Sequence, residues 1–234
     1  MHIRIASHAA LLLSFVIAPF LSSPQASAGE NDTPRPLPGE LESAELAGFE
    51  DFDPKRAALV DLALKLGRTH RLNRYLFGSA DPEKGGFDCS GSIYFILSQA
   101  GIEPARSSAA QYDWIDDAGL LTQVPASASS LDSPVFEKLQ PGDLVFWAGT
   151  YRPTDGRTNK VTHVQMYLGV EKASGKPVMI GSSDGRSYSG KARCGFGVYD
   201  FKVPGKQSKA RIVGFGPPPG LEKLQNEPKP STGP

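Results

Sequence analysis

The sequence contains few of the residues that bind metals or form disulfides. Its 234 residues include two cysteines, Cys89 and Cys194, and four histidines. Two cysteines are too few for a disulfide scaffold. A zinc site would need nearly every cysteine and histidine that the chain has. We therefore expect no metal and no other cofactor.

An excess of charge is also absent. The chain has 25 Lys and Arg against 25 Asp and Glu, so its formal net charge is zero. Nucleic acids and anionic membrane surfaces attract basic proteins, so neither is expected as the main partner. No apolar run reaches the ~20 residues of a membrane span. The apolar run Ala9–Leu21 is too short, and Pro19 interrupts it.

The first 28 residues have the layout of a secretory signal peptide. Arg4 precedes the apolar run, and Ala26-Ser27-Ala28 offers the small-x-small site that signal peptidase cleaves. We predict a signal peptide over 1–28 and an exported protein, periplasmic or secreted. An uncleaved amphipathic helix is the alternative.

Two proline-rich segments flank the predicted domain. Residues 29–53 are acidic and contain Pro34, Pro36 and Pro38, which predicts an extended leader. Residues 217–234 hold six prolines and few apolar side chains, which predicts a disordered tail. Residues 54–216 then form one domain of ordinary size.

Helices are predicted early in this domain and strands late. Asp53-Pro54 is a helix start, and a second helix is predicted to stop at Gly101. A loop is expected over Leu120–Pro134. This order indicates an α+β fold. The predicted strands are Asp143–Ala148, Thr162–Val170, Pro177–Ser183, Gly197–Val203 and Arg211–Phe215.

Cys89 is the candidate nucleophile. It lies in Phe87-Asp88-Cys89-Ser90-Gly91, where the second helix is expected to begin. Free backbone amides and the helix dipole favour a thiolate at such a position. The charge of Asp88 opposes it, so a cationic partner is needed. The alternative is a buried structural thiol.

His163 is the candidate partner of Cys89. It opens an alternating strand, on which His163, Gln165 and Tyr167 share one face. A histidine on a strand can be held rigidly beside a cysteine on a helix. The alternative is a hydrogen-bonded sheet histidine without a ligand. His70 is surrounded by arginines, which favours a solvated surface position.

Several blocks of the sequence resemble the NlpC family, papain-like cysteine peptidases that cut bacterial cell-wall peptides. The resemblance extends from about Leu59 to Gly216. The blocks that carry it are Tyr75-Leu76-Phe77-Gly78, Asp88-Cys89-Ser90-Gly91, Pro104-Ala105-Arg106-Ser107-Ser108 with Gln111, Pro141-Gly142-Asp143-Leu144-Val145-Phe146-Trp147 and His163-Val164-Gln165-Met166-Tyr167-Leu168-Gly169.

The resemblance implies a papain-like α+β domain, with N-terminal helices packed on an antiparallel sheet. It implies Cys89 as nucleophile and His163 as general base and then acid. Tyr75, Asp88 and Ser90 would line the acyl side of the substrate cleft. The implied substrate is a peptidoglycan stem peptide, cleaved between D-glutamate and a diamino acid such as diaminopimelate.

The sequence departs from the family after the catalytic histidine. Members usually carry a polar residue on the next strand, which orients the imidazole, but here the position holds Gly181. Ser183 or Asp184 could orient the ring instead, although both also suit a simple turn. Insertions at Leu120–Pro134 and at Tyr151–Lys160 could reshape the cleft walls.

Two other functions stay open at this point. Gly181, or a disulfide between Cys89 and Cys194, would fit a catalytically inactive wall-binding domain of the same fold. A Cys–His acyltransferase would keep the chemistry but act on lipids, for which the chain shows no membrane-seeking helix. The sequence predicts no oligomeric state.

Overall fold

The structure is a computed structural model that describes residues 35–224. The predicted signal peptide (1–28), the start of the leader (29–34) and the tail from residue 225 onward lie outside the described residues. No helix within 35–224 has the length and apolarity to cross a membrane.

Three α-helices and nine β-strands make up the regular structure of the described residues. The helices are α1 (Pro54–Thr69), α2 (Cys89–Gln99) and α3 (Ser108–Asp117). The strands are β1 (Arg74–Tyr75), β2 (Ala80–Asp81), β3 (Gly86–Phe87), β4 (Thr122–Gln123), β5 (Leu144–Ala148), β6 (Val161–Val170), β7 (Pro177–Tyr188), β8 (Lys191–Asp200) and β9 (Arg211–Gly216).

Six strands form one antiparallel sheet in the order β4-β9-β5-β6-β7-β8. Alternate side chains of this sheet enter two apolar clusters. Val164 and Ile180 join the cluster formed with α1 and α2, whereas Trp147 and Tyr199 belong to the other. The expected α+β class, with helices packed on an antiparallel sheet, is confirmed.

Helix α1 begins where the sequence predicts. Asp53 accepts hydrogen bonds from the amides of Lys55 and Arg56, and Pro54 takes the first helical position. Arg56 then donates to the Asp143 carboxylate at 2.8 Å and to the Pro141 carbonyl at 2.7 Å. These contacts tie α1 to the turn that leads into β5.

Strands β6 and β7 separate halfway along their length. Their pairing extends from Val170↔Pro177 to Met166↔Ile180. From Gly181 to Asp184, β7 continues to pair with β8. The N-terminal end of α2 packs beside both strands there, as described below.

Helix α3 and strand β8 differ from the sequence prediction, and β7 extends beyond its predicted end at Ser183 to Tyr188. Helix α3, capped by Ser107, was not predicted, because its only fully buried apolar side chains are Ala109 and Ile115. Strand β8 starts at Lys191 rather than Gly197. Ser189 and Gly190, both with positive φ, form a two-residue hairpin turn between β7 and β8. The residues around that turn are polar and do not alternate with apolar ones, so the sequence does not indicate a strand there.

Part of the predicted leader packs on the domain. Leu41 and Leu46 are buried, and backbone bridges join Gly39 to Val198 and Leu46 to Glu171. The packed domain therefore begins before residue 53, where the composition changes. Beyond the predicted domain end at 216, Leu221 is also buried.

We predict that Leu46→Ala lowers the free energy of unfolding by about 2–5 kcal/mol, because it leaves a cavity around a fully buried leucine. Urea unfolding measures the loss. Leu72→Ala is the matched control, since Leu72 is 73% exposed and its loss should change stability by less than about 0.5 kcal/mol. Equal stability of the two variants would contradict the packing of the leader.

Candidate active site

Cys89 is the first residue of α2, as the sequence predicts. Asp88 caps the helix by accepting from the Gly91 amide at 2.5 Å. A side chain at Gly91 would place its Cβ 2.0 Å from the Ser79 carbonyl oxygen, so only glycine fits there. The loop that contains Ser79 can therefore pack directly against the first turn of α2.

The carboxylate of Asp88 is held by contacts within the domain. It accepts from the Gly78 amide at 2.9 Å and from the Ser90 hydroxyl at 3.1 Å. Arg106 reaches both carboxylate oxygens, at 3.2 and 3.1 Å. Asp88 thus links the start of α2 to Arg106, and its hydrogen bonds fix the loop around Cys89.

Ser92 fixes the helix start between the separated strands. Its hydroxyl donates to the Cys89 carbonyl at 2.7 Å and accepts from the Ser182 amide at 2.8 Å. The Ser182 hydroxyl donates to the Phe87 carbonyl at 2.7 Å. These bonds satisfy buried polar groups of β7 where it has left β6.

The structure brings Cys89 to the strand that carries His163. The backbone of Val164, next in the chain to His163, lies close enough to the Cys89 thiol to lower its pKa, and both residues belong to the same apolar cluster. The sulfur also interacts with the charge of Arg186, which itself contacts the His163 ring. Cys89 and His163 are each 7% exposed, so both are buried, and Arg186 lies near both of them.

Three side chains surround the imidazole of His163. The Trp147 ring contacts it edge-on, with centroids 5.6 Å apart. Arg186 donates from Nε to His163 Nε2 at 3.0 Å, and its guanidinium lies 4.2 Å from the centre of the Trp147 ring. The amide nitrogen of Gln165 is 3.3 Å from the same Nε2 atom. Both polar contacts use Nε2, which leaves Nδ1 for a thiol.

Burial sets the protonation of the resting pair. It raises the pKa of Cys89 to about 11, and the nearby charge of Asp88 adds to this rise. Burial, assisted by the cation of Arg186, holds the pKa of His163 well below 6.5. A neutral thiol and a neutral imidazole therefore predominate at neutral pH.

Arg186 also determines which nitrogen carries the ring proton. A guanidinium has donors only, so Nε2 of His163 must act as the acceptor. In the neutral ring, the proton is then on Nδ1. This is the nitrogen that would have to take a proton from a thiol, so the Arg186 contact holds the ring in the unproductive tautomer.

Neither predicted orienting residue contacts the His163 ring through a hydrogen bond within 35–224. Asp184 forms an ion pair with Arg35 at 2.5 Å instead. Ser183 lies in β7, where its carbonyl accepts from the Tyr199 hydroxyl at 3.0 Å. Gln165 and Arg186 contact Nε2 of the ring instead, although neither was predicted as an orienting residue.

The remaining predicted residues lie around the nucleophile. Ser90 is buried beside Asp88, and the half-buried Tyr75 has its pKa raised by burial and by the nearby Cys89 and Asp88. Cys194 is a free, partly buried thiol and Cys89 is a free, buried one, so the two do not form a disulfide. His70 packs edge-on against Phe95 and not at this site, with centroids 5.1 Å apart.

The sequence contained a signal for Gln165 but none for Arg186. Strand alternation places Gln165 on the face of His163. Arg186 follows the Ser-Ser-Asp-Gly segment that favours a turn. Because β7 continues through this segment to Tyr188, the strand is long enough to place Arg186 at the site.

A helix-borne cysteine and a strand-borne histidine in one buried site define the class of protein. Residues 72–192 match the model of the NlpC/P60 family. That match covers more than half of the chain, so this protein belongs to the NlpC/P60 family.

Individual relatives match less of the chain. It is 32% identical over 95 residues to the bifunctional muramidase/DL-endopeptidase CwlT of Bacillus subtilis, which covers 41% of this chain and 22% of CwlT. The chain thus spans about a fifth of that relative.

Solved structures of other proteins also match this chain over part of their length. One is a protein described as similar to a lipoprotein of the NLP/P60 family, from Staphylococcus aureus, at 25% identity. The match covers 77% of this chain and 43% of the Staphylococcus protein, with a TM-score of 0.43. NlpC1 from Trichomonas vaginalis is 19% identical over 68% of this chain and 44% of its own, with a TM-score of 0.40.

We predict that Arg186→Met raises the pKa of His163, because it removes a cation next to the ring. NMR titration of the imidazole measures the shift, and a His163→Gln variant identifies its resonance by the signal that disappears. Arg193→Met is the control, since Arg193 binds the Leu37 carbonyl. An unchanged His163 titration in Arg186→Met would rule out this electrostatic coupling.

Proposed function

We propose that the protein is an exported peptidoglycan hydrolase that cleaves an amide bond in cell-wall stem peptides through a Cys–His acyl-enzyme mechanism. The observation that carries the proposal is the position of the Cys89 sulfur. It lies at the start of a helix, against the backbone of the residue that follows His163. Membership of the NlpC/P60 family supports this choice.

The reaction proceeds in two steps. The Cys89 sulfur attacks the amide carbonyl carbon while its proton passes to His163, and backbone amides at the start of α2 stabilise the oxyanion. The C–N bond breaks as His163 returns the proton to the leaving amine. Water, deprotonated by His163, then attacks the thioester and releases the carboxylate and the free thiol.

The substrate is proposed to be a stem peptide, cut at a D-glutamyl–diaminopimelate bond. The DL-endopeptidase in the name of the Bacillus relative supports this bond. Tyr75, Asp88 and Ser90 would line the acyl side of the cleft, close to Cys89. The layout of residues 1–28 supports export to the periplasm or the medium.

One observation favours a second candidate, a catalytically inactive wall-binding domain. Arg186 holds His163 in the tautomer that cannot accept a proton from a thiol at Nδ1. If this contact persisted with substrate bound, the fold would bind peptidoglycan without cutting it. Wild-type protein that sediments with purified sacculi but releases no fragments would identify this function.

We predict that Cys89→Ala abolishes the release of peptide fragments from purified peptidoglycan, because it removes the nucleophile. Mass spectrometry of the soluble products identifies both the loss and the bond that the wild type cuts. Cys194→Ser is the matched control and should retain the wild-type rate, since Cys194 lies on β8 as a separate free thiol. Fragment release by Cys89→Ala at the wild-type rate would falsify the mechanism.

We predict that His163→Ala is also inactive and that the wild type loses activity only below pH 6.5. A general base must be neutral, and the pKa of His163 lies well below its usual value. Activity should therefore be retained at pH 6.5 and fall as acid protonates the ring. Initial rates of fragment release between pH 4 and 9 measure the profile. A loss of activity that begins above pH 7 would contradict the assignment of the acid limb to His163.

A further inference from the structure

The side chain of Gln165 fills the space that Gly181 leaves empty. A Cβ atom built on Gly181 would lie 3.3 Å from both Cγ and Cδ of Gln165. A larger side chain at 181 would therefore need the volume that Gln165 occupies. Position 181 is where the family resemblance leads one to expect the polar residue that orients the imidazole.

Gln165 presents its amide group to the His163 ring. Its side-chain nitrogen is 3.3 Å from Nε2 of His163, and the residue is completely buried. Within residues 35–224, its Oε1 atom has no hydrogen-bond partner. A buried carbonyl oxygen without a partner costs free energy, and a half-turn of the amide would place that oxygen against Nε2.

We propose that Gln165 is the positioning residue of His163, replacing from within the same strand the side chain that is missing at Gly181, and that Arg186 competes with it for the Nε2 atom. This inference rests on the proposed Cys–His function.

The two contacts have opposite effects on the ring. When Arg186 donates to Nε2, the proton of the neutral ring is on Nδ1, and Cys89 cannot transfer its own proton there. When Oε1 of Gln165 accepts from Nε2–H, Nδ1 is free to take the thiol proton. The imidazolium that forms keeps Gln165 as the acceptor for Nε2–H. Catalysis therefore requires Gln165 to replace Arg186 at Nε2.

The charged and titratable groups near this ring come from three elements. Arg186 approaches from β7, and Cys89 lies at the start of α2 with Asp88 before it. Tyr199 of β8 interacts with Arg186. Of these, Arg186 has a hydrogen bond to the ring and the other groups do not within 35–224, so its removal isolates the effect of Gln165.

The first test determines the tautomer of His163 in the free protein by 15N NMR of labelled histidine, at a pH where the ring is neutral. We expect Nδ1–H in the wild type and a shift to Nε2–H in Arg186→Met, where Gln165 becomes the partner. In Arg186→Met with Gln165→Met, the Nε2–H population should fall to that of an imidazole without a partner. Methionine is close to glutamine in size but cannot accept this bond. An Nδ1–H ring in Arg186→Met, or an Nε2–H population in the double variant equal to that in Arg186→Met, would overturn the proposal.

The second test measures turnover of a stem-peptide substrate. Gln165→Met should lower kcat between about 10-fold and the ~10⁴-fold caused by a wrong histidine tautomer, with KM nearly unchanged. Met166→Leu is the matched control, since Met166 is equally buried but faces the helix side of the sheet. An unchanged kcat in Gln165→Met, or an equal loss in Met166→Leu, would overturn the positioning role.

The two tests separate this inference from the proposed function. The tautomer experiment needs no substrate and does not require Gln165→Met alone to fold, because an Nδ1–H ring in Arg186→Met would by itself overturn the role of Gln165. If peptidoglycan is not cleaved but the tautomer shifts as expected, the proposed function fails and the role of Gln165 in orienting the ring stands.

Discussion

The site depends on the insertion of one helix end between two strands that have parted. Where β6 and β7 stop pairing, buried backbone groups need new partners. The Ser92 hydroxyl binds the Ser182 amide, and the Ser182 hydroxyl binds the Phe87 carbonyl on the other side. These bonds fix the start of α2 in the gap. Because Cys89 is the first residue of that helix, its sulfur comes to lie at the backbone beside His163.

The electrostatics of the site follow from the same burial. A thiol and an imidazole removed from water both prefer their neutral forms, as the pKa directions of Cys89 and His163 show. Asp88 would oppose a thiolate further, and Arg106 holds that carboxylate in a two-point contact. The resting Cys89–His163 pair thus avoids separated charges. Charge would form only as a substrate is attacked, where the free amides of the helix start can stabilise it.

Sequence patterns predict the parts of this structure that local rules determine. The cap at Asp53, the start of α2 at Cys89 and the alternation around His163 all depend on neighbouring residues, and each is found where it was expected. The Ser189-Gly190 turn and the part of β7 beyond Ser183, which carries Arg186, were missed, because polar residues there do not alternate. Contacts between distant residues, such as Arg186 with Trp147, depend on sheet pairing and could not be predicted from local spacing.

The segment before α1 has a consequence for how the domain can be handled. Strand β8 is an outer strand of the six-stranded sheet, and residues 36–39 bind its backbone at Cys194 and Val198. Cutting the chain at the change of composition near residue 53 would bare those backbone groups and invite edge-to-edge association between molecules. A fragment beginning at Arg35 keeps the sheet edge covered, so it is the shorter version of this protein with the better prospect of remaining monodisperse at high concentration.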